Sequence, residues 1–412
     1  MSKKTTSRTR SALAVLTAEV IVVGGGLAGL SLAAALGSAG IDVICLDRET
    51  PAAQLATKYD GRTTAVSFAS QQILNSIGVW PLVHKHAQPI NDIRVTDGLS
   101  PLYLHFPQGA VNGQPFGWIV DNRELRRALF ERLKQLDNVR HMAPAMMKSV
   151  KDGTVTLADG RRLTAQLVVG ADGKDSLCRE QAGIKTRTRP YNQSAIVCTI
   201  SCEKPHYGTA LENFRPAGPF AVLPMKNNKC SIVWSDNGDL APHYLKLSET
   251  EFEAELQERM GNWLGKIKLA SPRFVYPLTL LHAERYTAPR LALISEAAHR
   301  MHPIAGQGLN IGMRDVALLA ELVADALREG EDMGSPRLLA MYEQGRKADT
   351  LAMLAGTDIL THLFSNHSPT LALLRRTGLA GVNKTRRLKG FFMRYAMGLV
   401  GPQTRLGRNL PL

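Results

Sequence analysis

Negative charge is missing from both ends of this 412-residue chain: no Asp or Glu precedes Glu19 or follows Asp358. The first end carries Lys3, Lys4, Arg8 and Arg10 instead. The last carries Arg375, Arg376, Lys384, Arg386, Arg387, Lys389, Arg394, Arg405 and Arg408. These residues account for nearly all of the net +14, because the stretch from Glu19 to Asp358 holds 37 basic and 36 acidic residues. A near-neutral body excludes the basic track of a nucleic-acid-binding protein. Cysteine is scarce as well. Cys45, Cys178, Cys198, Cys202 and Cys230 are odd in number, and no two have a two-residue spacing. A disulfide framework and a cysteine metal site are both excluded, which leaves reduced thiols in a cytosolic protein. His299 and His302 lack a third ligand, so no metal is expected.

Long apolar runs are the third absence. Val20 to Leu36 is interrupted by glycines, and Ala12 to Leu16 is shorter than the roughly 7–15 residues of a secretion signal. Residues 1–18 read as a basic disordered tail. What is present is 44% hydrophobic and 21% charged composition, enough for a large core in two or three domains.

Glu19-Val-Ile-Val-Val23 reads as a strand buried on both faces and runs into Gly24-Gly-Gly-Leu-Ala-Gly29. Leu30 to Gly40 reads as a helix and Ile41 to Leu46 as a second strand, closed by Asp47. In G-x-G-x-x-G, Gly24 permits the tight turn, Gly26 admits a pyrophosphate and Gly29 allows close helix–strand packing. The helix start offers free amides, and Asp47 suits a ribose diol. The motif alone does not separate FAD from NAD.

Further along, residues 124–136 have helical spacing, residues 155–163 form a hairpin turning at Asp159-Gly160, and residues 167–173 form a buried strand ending in Asp172-Gly173. From Tyr191 to about Leu280, apolar runs alternate with Pro, Gly and Asn, the pattern of an antiparallel sheet lobe over a ligand. A buried strand at Leu291–Ile294 leads through Ser295-Glu-Ala-Ala-His299 into a Pro/Gly-rich loop ending at Asn310. A long helix is expected from about Ile311 to Arg328.

Three constellations, in order, resemble the single-component FAD-dependent aromatic-ring monooxygenases of the p-hydroxybenzoate hydroxylase group. They are G-x-G-x-x-G, Gly170-Ala-Asp-Gly-Lys-Asp-Ser-Leu-Cys-Arg179, and Ser295-Glu-Ala-Ala-His299 followed by Pro303-Ile-Ala-Gly-Gln-Gly-Leu-Asn310. Asp60 to Ser67, Asp121 to Leu125, Gly218 to Pro224 and His302 to Gly308 are most similar to the ubiquinone-biosynthesis hydroxylases.

The resemblance implies an α/β (mixed α+β) fold. A discontinuous Rossmann-like FAD-binding domain would span 19–90, 118–190 and 285–345. An inserted antiparallel β-sheet substrate domain would span 91–117 and 191–284, and a helical basic C-terminal region 346–412. It implies that Gly24, Gly26, Gly29 and Asp47 hold the adenosine diphosphate half of FAD, with Arg62 and Asn122 beside it. Asp172 would bridge cofactor and reductant, and Pro303, Gly306, Gln307, Gly308 and Asn310 would surround the flavin ring. His302 is either a proton relay or a structural residue. Phe220, Leu223 and Trp234 are either an apolar roof over the substrate ring or ordinary core.

The implied chemistry is ring hydroxylation of a polyprenylated phenol through a flavin 4a-hydroperoxide, with O2 as co-substrate. NAD(P)H or a protein donor would be a transient reductant, since a single dinucleotide fingerprint leaves no second permanent site. One departure stands out. The family's Gly-Asp is Ser295-Glu296 here, so Glu296 reaches the ribityl chain only if the backbone shifts. The rivals are a same-fold reductase or epoxidase on a prenyl lipid, and a FAD-free scaffold of a biosynthetic complex. Finally, Leu388 to Val400 mixes aromatic, Met and basic residues. It reads either as a helix on an anionic membrane face, at the inner surface of the cytoplasmic membrane with other quinone-biosynthesis proteins as possible neighbours, or as a basic helix packed on the body.

Overall fold

The computed structural model describes residues 15–98, 100, 102–109, 113–365 and 368–412. Most of the expected N-terminal tail lies outside them. Its last part is not a tail: Leu16–Thr17 pairs in parallel with Arg162–Thr164.

The first sheet has six strands, in the order 287–288, 291–293, 167–170, 20–23, 43–46 and 139–142. All neighbours are parallel except the first pair. Strands 20–23, 43–46 and 167–170 are buried at every residue, which is why they carry unbroken apolar runs. Helix Leu27–Ser38 lies against the long helix Gln307–Glu329. The long helix begins four residues earlier than its composition suggests. Gly306, at φ +61°, turns the chain directly into it, so the Gly-rich stretch that reads as a loop is already helical.

A nine-stranded sheet forms the second lobe, with strands 299–300, 274–283, 186–202, 229–237, 218–225, 209–215, 92–97 and 103–106 in that order, and 267–269 beside 186–202. Strand 92–97 joins it by pairing in parallel with 209–215. Because side chains alternate along a strand, the sheet has two apolar faces. Its outer face packs under helix Glu249–Met260, which is held at its start by a reciprocal Ser248–Glu251 cap. Its inner face turns to the nucleotide fold, where Thr63 Oγ1 donates to Ser231 Oγ at 2.8 Å.

Helices Pro336–Phe364, Pro369–Lys384 and Arg386–Ala396 complete the chain. No described helix is long and apolar enough to cross a membrane. Part of the C-terminal charge is internal: Arg375 and Arg376 donate to opposite oxygens of the buried Asp97 at 3.2 and 3.0 Å, and Arg405 pairs with Glu321 and Asp325. The fold is mixed α/β, a Rossmann-like parallel sheet beside an antiparallel lobe and C-terminal helices.

Candidate active site

The glycine loop is shaped by its neighbours. Gly24 sits at φ +114°, and a Cβ there would stand 2.3 Å from the Ala171 carbonyl oxygen. A Cβ on Gly29 would lie 1.9 Å from the Gly24 oxygen. At Gly26, by contrast, an added Cβ meets nothing within 4 Å, and helix Leu27–Ser38 starts there with no side-chain cap. An open approach to uncapped amides is what a pyrophosphate requires. Asp47 lies against the same loop, within 2.3 Å of a Cβ built on Gly25. Its carboxylate accepts from the Glu49 amide and Gln54 Nε2 at 2.9 and 2.7 Å.

Arg62 is fixed by Asp60 through two bonds, 2.9 and 3.1 Å, and covers the Tyr276 ring at 5.0 Å, yet remains 46% exposed. Burial alone would raise the Asp60 carboxyl, but the Arg62 guanidinium overrides it and holds the group at about 2. Asn122 joins this cluster, donating to Asp60 at 3.2 Å and accepting from Thr64 Oγ1 at 2.6 Å. The Asp172 carboxylate caps the short helix Leu177–Gln181 locally, accepting from Ser176 Oγ and the Cys178 amide.

The departure at 295–296 has a structural answer. Ser295 adopts φ +54°, the left-handed conformation that glycine takes most readily, and its hydroxyl packs where Gly312 has no side chain. Its amide donates to Asp315 Oδ2 at 2.9 Å. Glu296 is consequently held half-exposed, 4.0 Å from Arg300 Nε, and its charge also acts on Arg62. The Glu296 carboxylate and the Arg62 guanidinium thus belong to one electrostatic neighbourhood.

Beyond Pro303, Gly308 is exposed at the start of an uncapped 23-residue helix, with open space where a Cβ would be. The Asn310 side chain is committed to the protein. It donates to the Ala65 and Gly306 carbonyls at 2.9 and 3.2 Å and accepts from the Ser67 amide at 3.0 Å, fastening this loop to strand 63–67. Backbone groups, not the Asn310 amide, are therefore what the loop offers outward. His302 is fully buried. Its Nε2 is 3.1 Å from Gln193 Oε1, its Nδ1 has no hydrogen-bond partner, and burial lowers its pKa to about 4. The ring is a neutral imidazole in place.

The residues expected to form a roof separate. Phe220 and Trp234 pair across neighbouring strands on the outer face, in the lobe's own core with Phe252, and so do not line the inner face. Leu223, three residues beyond Phe220, points inward and packs with Ala65, Phe116, Met393 and Met397. Strand alternation separates them: the sequence gives two apolar faces but not which faces the site.

Asp315 and Arg346 are not among the expected site residues. Asp315 Oδ2 is 2.6 Å from His299 Nε2, and Arg346 Nε donates to Oδ1 at 2.6 Å, all three residues buried. Burial would raise the Asp315 carboxyl, but His299 and Arg346 hold it at about 2. A lone acid on the apolar stripe of a helix that also carries Ile311 and Leu319 was the available signal.

The chain matches the family model described as FAD binding domain over residues 17–357. It belongs to that family. It is 50% identical over 402 residues to ubiquinone hydroxylase UbiL of Rhodospirillum rubrum, covering 96% of this chain and 94% of the relative. It is 32% identical to 3-demethoxyubiquinol 3-hydroxylase of Escherichia coli, covering 92% and 98%. The structure of p-nitrophenol 4-monooxygenase PnpA from Pseudomonas putida superposes with a TM-score of 0.78 over 95% of this chain and all of that one; at 20% identity this likeness is one of fold. The open approach at Gly26, the two uncapped helix starts, the anchored Arg62 and the outward Glu296 fit the FAD that defines the family.

Proposed function

We propose that this protein is an FAD-dependent monooxygenase that hydroxylates the aromatic ring of a polyprenylated phenol in ubiquinone biosynthesis. The observation that carries the reading is the left-handed Ser295. Ser295 adopts the left-handed conformation that glycine takes most readily, and the Glu296 charge acts on Arg62. That favours a cofactor-binding enzyme over a scaffold that has lost FAD. Full-length similarity to named ubiquinone hydroxylases supports the substrate class.

The bound flavin would supply an electrophilic oxygen atom, taken from O2 with electrons from NAD(P)H or a protein donor. The protein's own groups do the rest. The start of helix Leu27–Ser38 and Arg62 would hold the phosphates, and the backbone of 306–308 would hold the ring of the cofactor. The inner face of the sheet lobe, with Leu223, holds the phenol and excludes water.

The greasy substrate suggests a membrane-surface location, at the inner face of the cytoplasmic membrane. Leu373, Leu374, Leu388, Phe391 and Phe392 are exposed on the C-terminal helices, next to the exposed cations Lys384, Arg386, Arg387 and Arg394. Apolar and basic groups on one helical segment suit an anionic lipid surface.

The test is a purified preparation and a deletion strain. Yellow protein that converts a short-chain prenylphenol to its catechol, together with accumulation of an under-hydroxylated quinone precursor in the strain, is expected. Colourless protein that cannot be reconstituted, or an unchanged quinone pool, would defeat the reading.

A further inference from the structure

Strand Thr209–Arg215 places one carboxylate on the inner face of the sheet lobe. Ala210, Glu212 and Phe214 alternate onto the same side, successive members about 7 Å apart. Ala210 packs in a cluster with Ile90, Phe116, Met393 and Met397, which Leu223 joins. Phe214 packs with Leu104, Phe364, Leu379 and Ile304, the last from the loop Pro303–Gly308. Glu212 therefore stands between two apolar clusters, on the face turned to that loop. Its cross-strand neighbours are Ala221 and Val95, neither able to bond to it. No hydrogen bond or ion pair to its carboxylate exists among the described residues. Its side chain is only partly accessible, held between those two clusters.

A partly buried carboxylate among apolar neighbours is costly to keep without a partner. We propose that Glu212 is the general base that accepts the hydroxyl proton of the phenol substrate, an inference that rests on the hydroxylase reading above. The phenol O–H bond breaks, the proton passes to a Glu212 oxygen, and the electron pair stays on the phenol oxygen. That pair delocalises to the ring carbons ortho and para to it, raising their reactivity toward the oxygen atom that flavin and O2 supply. A C–O bond forms at one of those carbons, its C–H bond breaks and that proton passes to the phenolate oxygen, which restores the aromatic ring as a dihydroxybenzene. The second oxygen atom of O2 leaves as water, taking up the proton that Glu212 gives back.

Burial lifts the Glu212 carboxyl to about 7. That places it near working pH, where a general base is most effective, while a phenol at about 10 gives up its proton only as the new bond forms. Charged and titratable groups on the elements packed around Glu212 have partners of their own. Asp97 takes Arg375 and Arg376, Asp358 takes Arg189 and lies beside His362, Lys389 binds Asn383, and His302 binds Gln193. Arg394 points to solvent.

The test compares holoenzyme with Glu212→Gln on 2-octylphenol and on 3,5-difluoro-2-octylphenol, which is largely ionised at mildly alkaline pH. FAD content and phenol affinity, read from flavin absorbance, should stay within threefold of wild type. On 2-octylphenol kcat should fall about a hundredfold, and the rise in kcat near pH 7 should disappear. On the ionised phenol the variant should approach wild type. An equal deficit on both phenols, or a retained rise near pH 7, overturns the proposal. Should Glu212→Gln fail to fold, Glu212→Ala is read with added formate: restored turnover supports the base, and no restoration overturns it. If FAD-loaded wild type hydroxylates neither phenol, the hydroxylase reading fails first and takes this inference with it.

Discussion

The Asp315 carboxylate accepts from the Ser295 amide at 2.9 Å while its other oxygen receives Arg346, so one buried acid holds a left-handed serine in place. A residue in that conformation costs about 1 kcal/mol or more and persists only where its surroundings insist on it. Replacing Asp315 with Asn leaves the buried Arg346 with Asp349 alone as a charge partner and sets an amide against His299 Nε2. The expected loss is about 3–5 kcal/mol, seen as a lower Tm and weaker FAD retention. Ser295→Gly, by contrast, should keep Tm and FAD within error or raise them. An Asp315→Asn protein as stable as wild type would show that the Asp349 bond alone satisfies Arg346.

His302 supplies a pH signature. Its folded pKa of about 4 lies below the unfolded value of about 6.5, so between those limits the unfolded chain binds more protons. Stability conferred by the neutral ring is complete above about pH 6.5 and declines as pH falls toward 4. Tm measured from pH 7 to pH 4.5 should drop more steeply for wild type than for His302→Gln. Parallel curves would mean that the ring is protonated in place.

Two glycines separate folding from cofactor binding. Gly26→Ala adds a methyl to open space, so the apoprotein should melt like wild type while FAD affinity falls at least tenfold. Gly29→Ala drives a Cβ into the Gly24 carbonyl and should lower the Tm of the apoprotein as well. Calorimetry of the apoproteins and flavin titration check both. Equal FAD affinity for wild type and Gly26→Ala would remove the loop from the phosphate site.

Charge on the last helices is testable apart from their packing. Changing Lys384, Arg386, Arg387 and Lys389 together to Gln should reduce cosedimentation with phosphatidylserine vesicles at least tenfold and leave Tm nearly unchanged, at about 1 kcal/mol per cation near the surface. Arg375→Gln should instead destabilise the fold, since it bonds a buried Asp97. Vesicle binding unaffected by the fourfold change would sink the membrane proposal.

Much of this was legible in the sequence because it is local. The run from Val20 through the glycines to Asp47 announces strand, turn, helix and strand by composition alone, and Ser295-Glu296 marks itself by departing from a pattern. Long-range choices were not. Nothing near Asp315 in sequence reveals that Arg346, thirty-one residues on, meets it. The orientation of Phe220 against Leu223 depends on which face of a two-faced sheet finds helix 249–260. Glu212 was visible as an acid in an apolar strand, but its solitude is a property of the assembled lobe.

The fork of Arg375 and Arg376 on Asp97 has a consequence for traffic. It ties helix 369–384 to the strand beside Glu212, and Leu379, Met393 and Met397, from the last two helices and the residue that ends them, pack against the lobe's inner face. On the proposed function, the segment that would rest on lipid would also border the substrate's ring. A quinone precursor could advance its ring head-first from the bilayer while its tail stayed in oil, and so never cross open water.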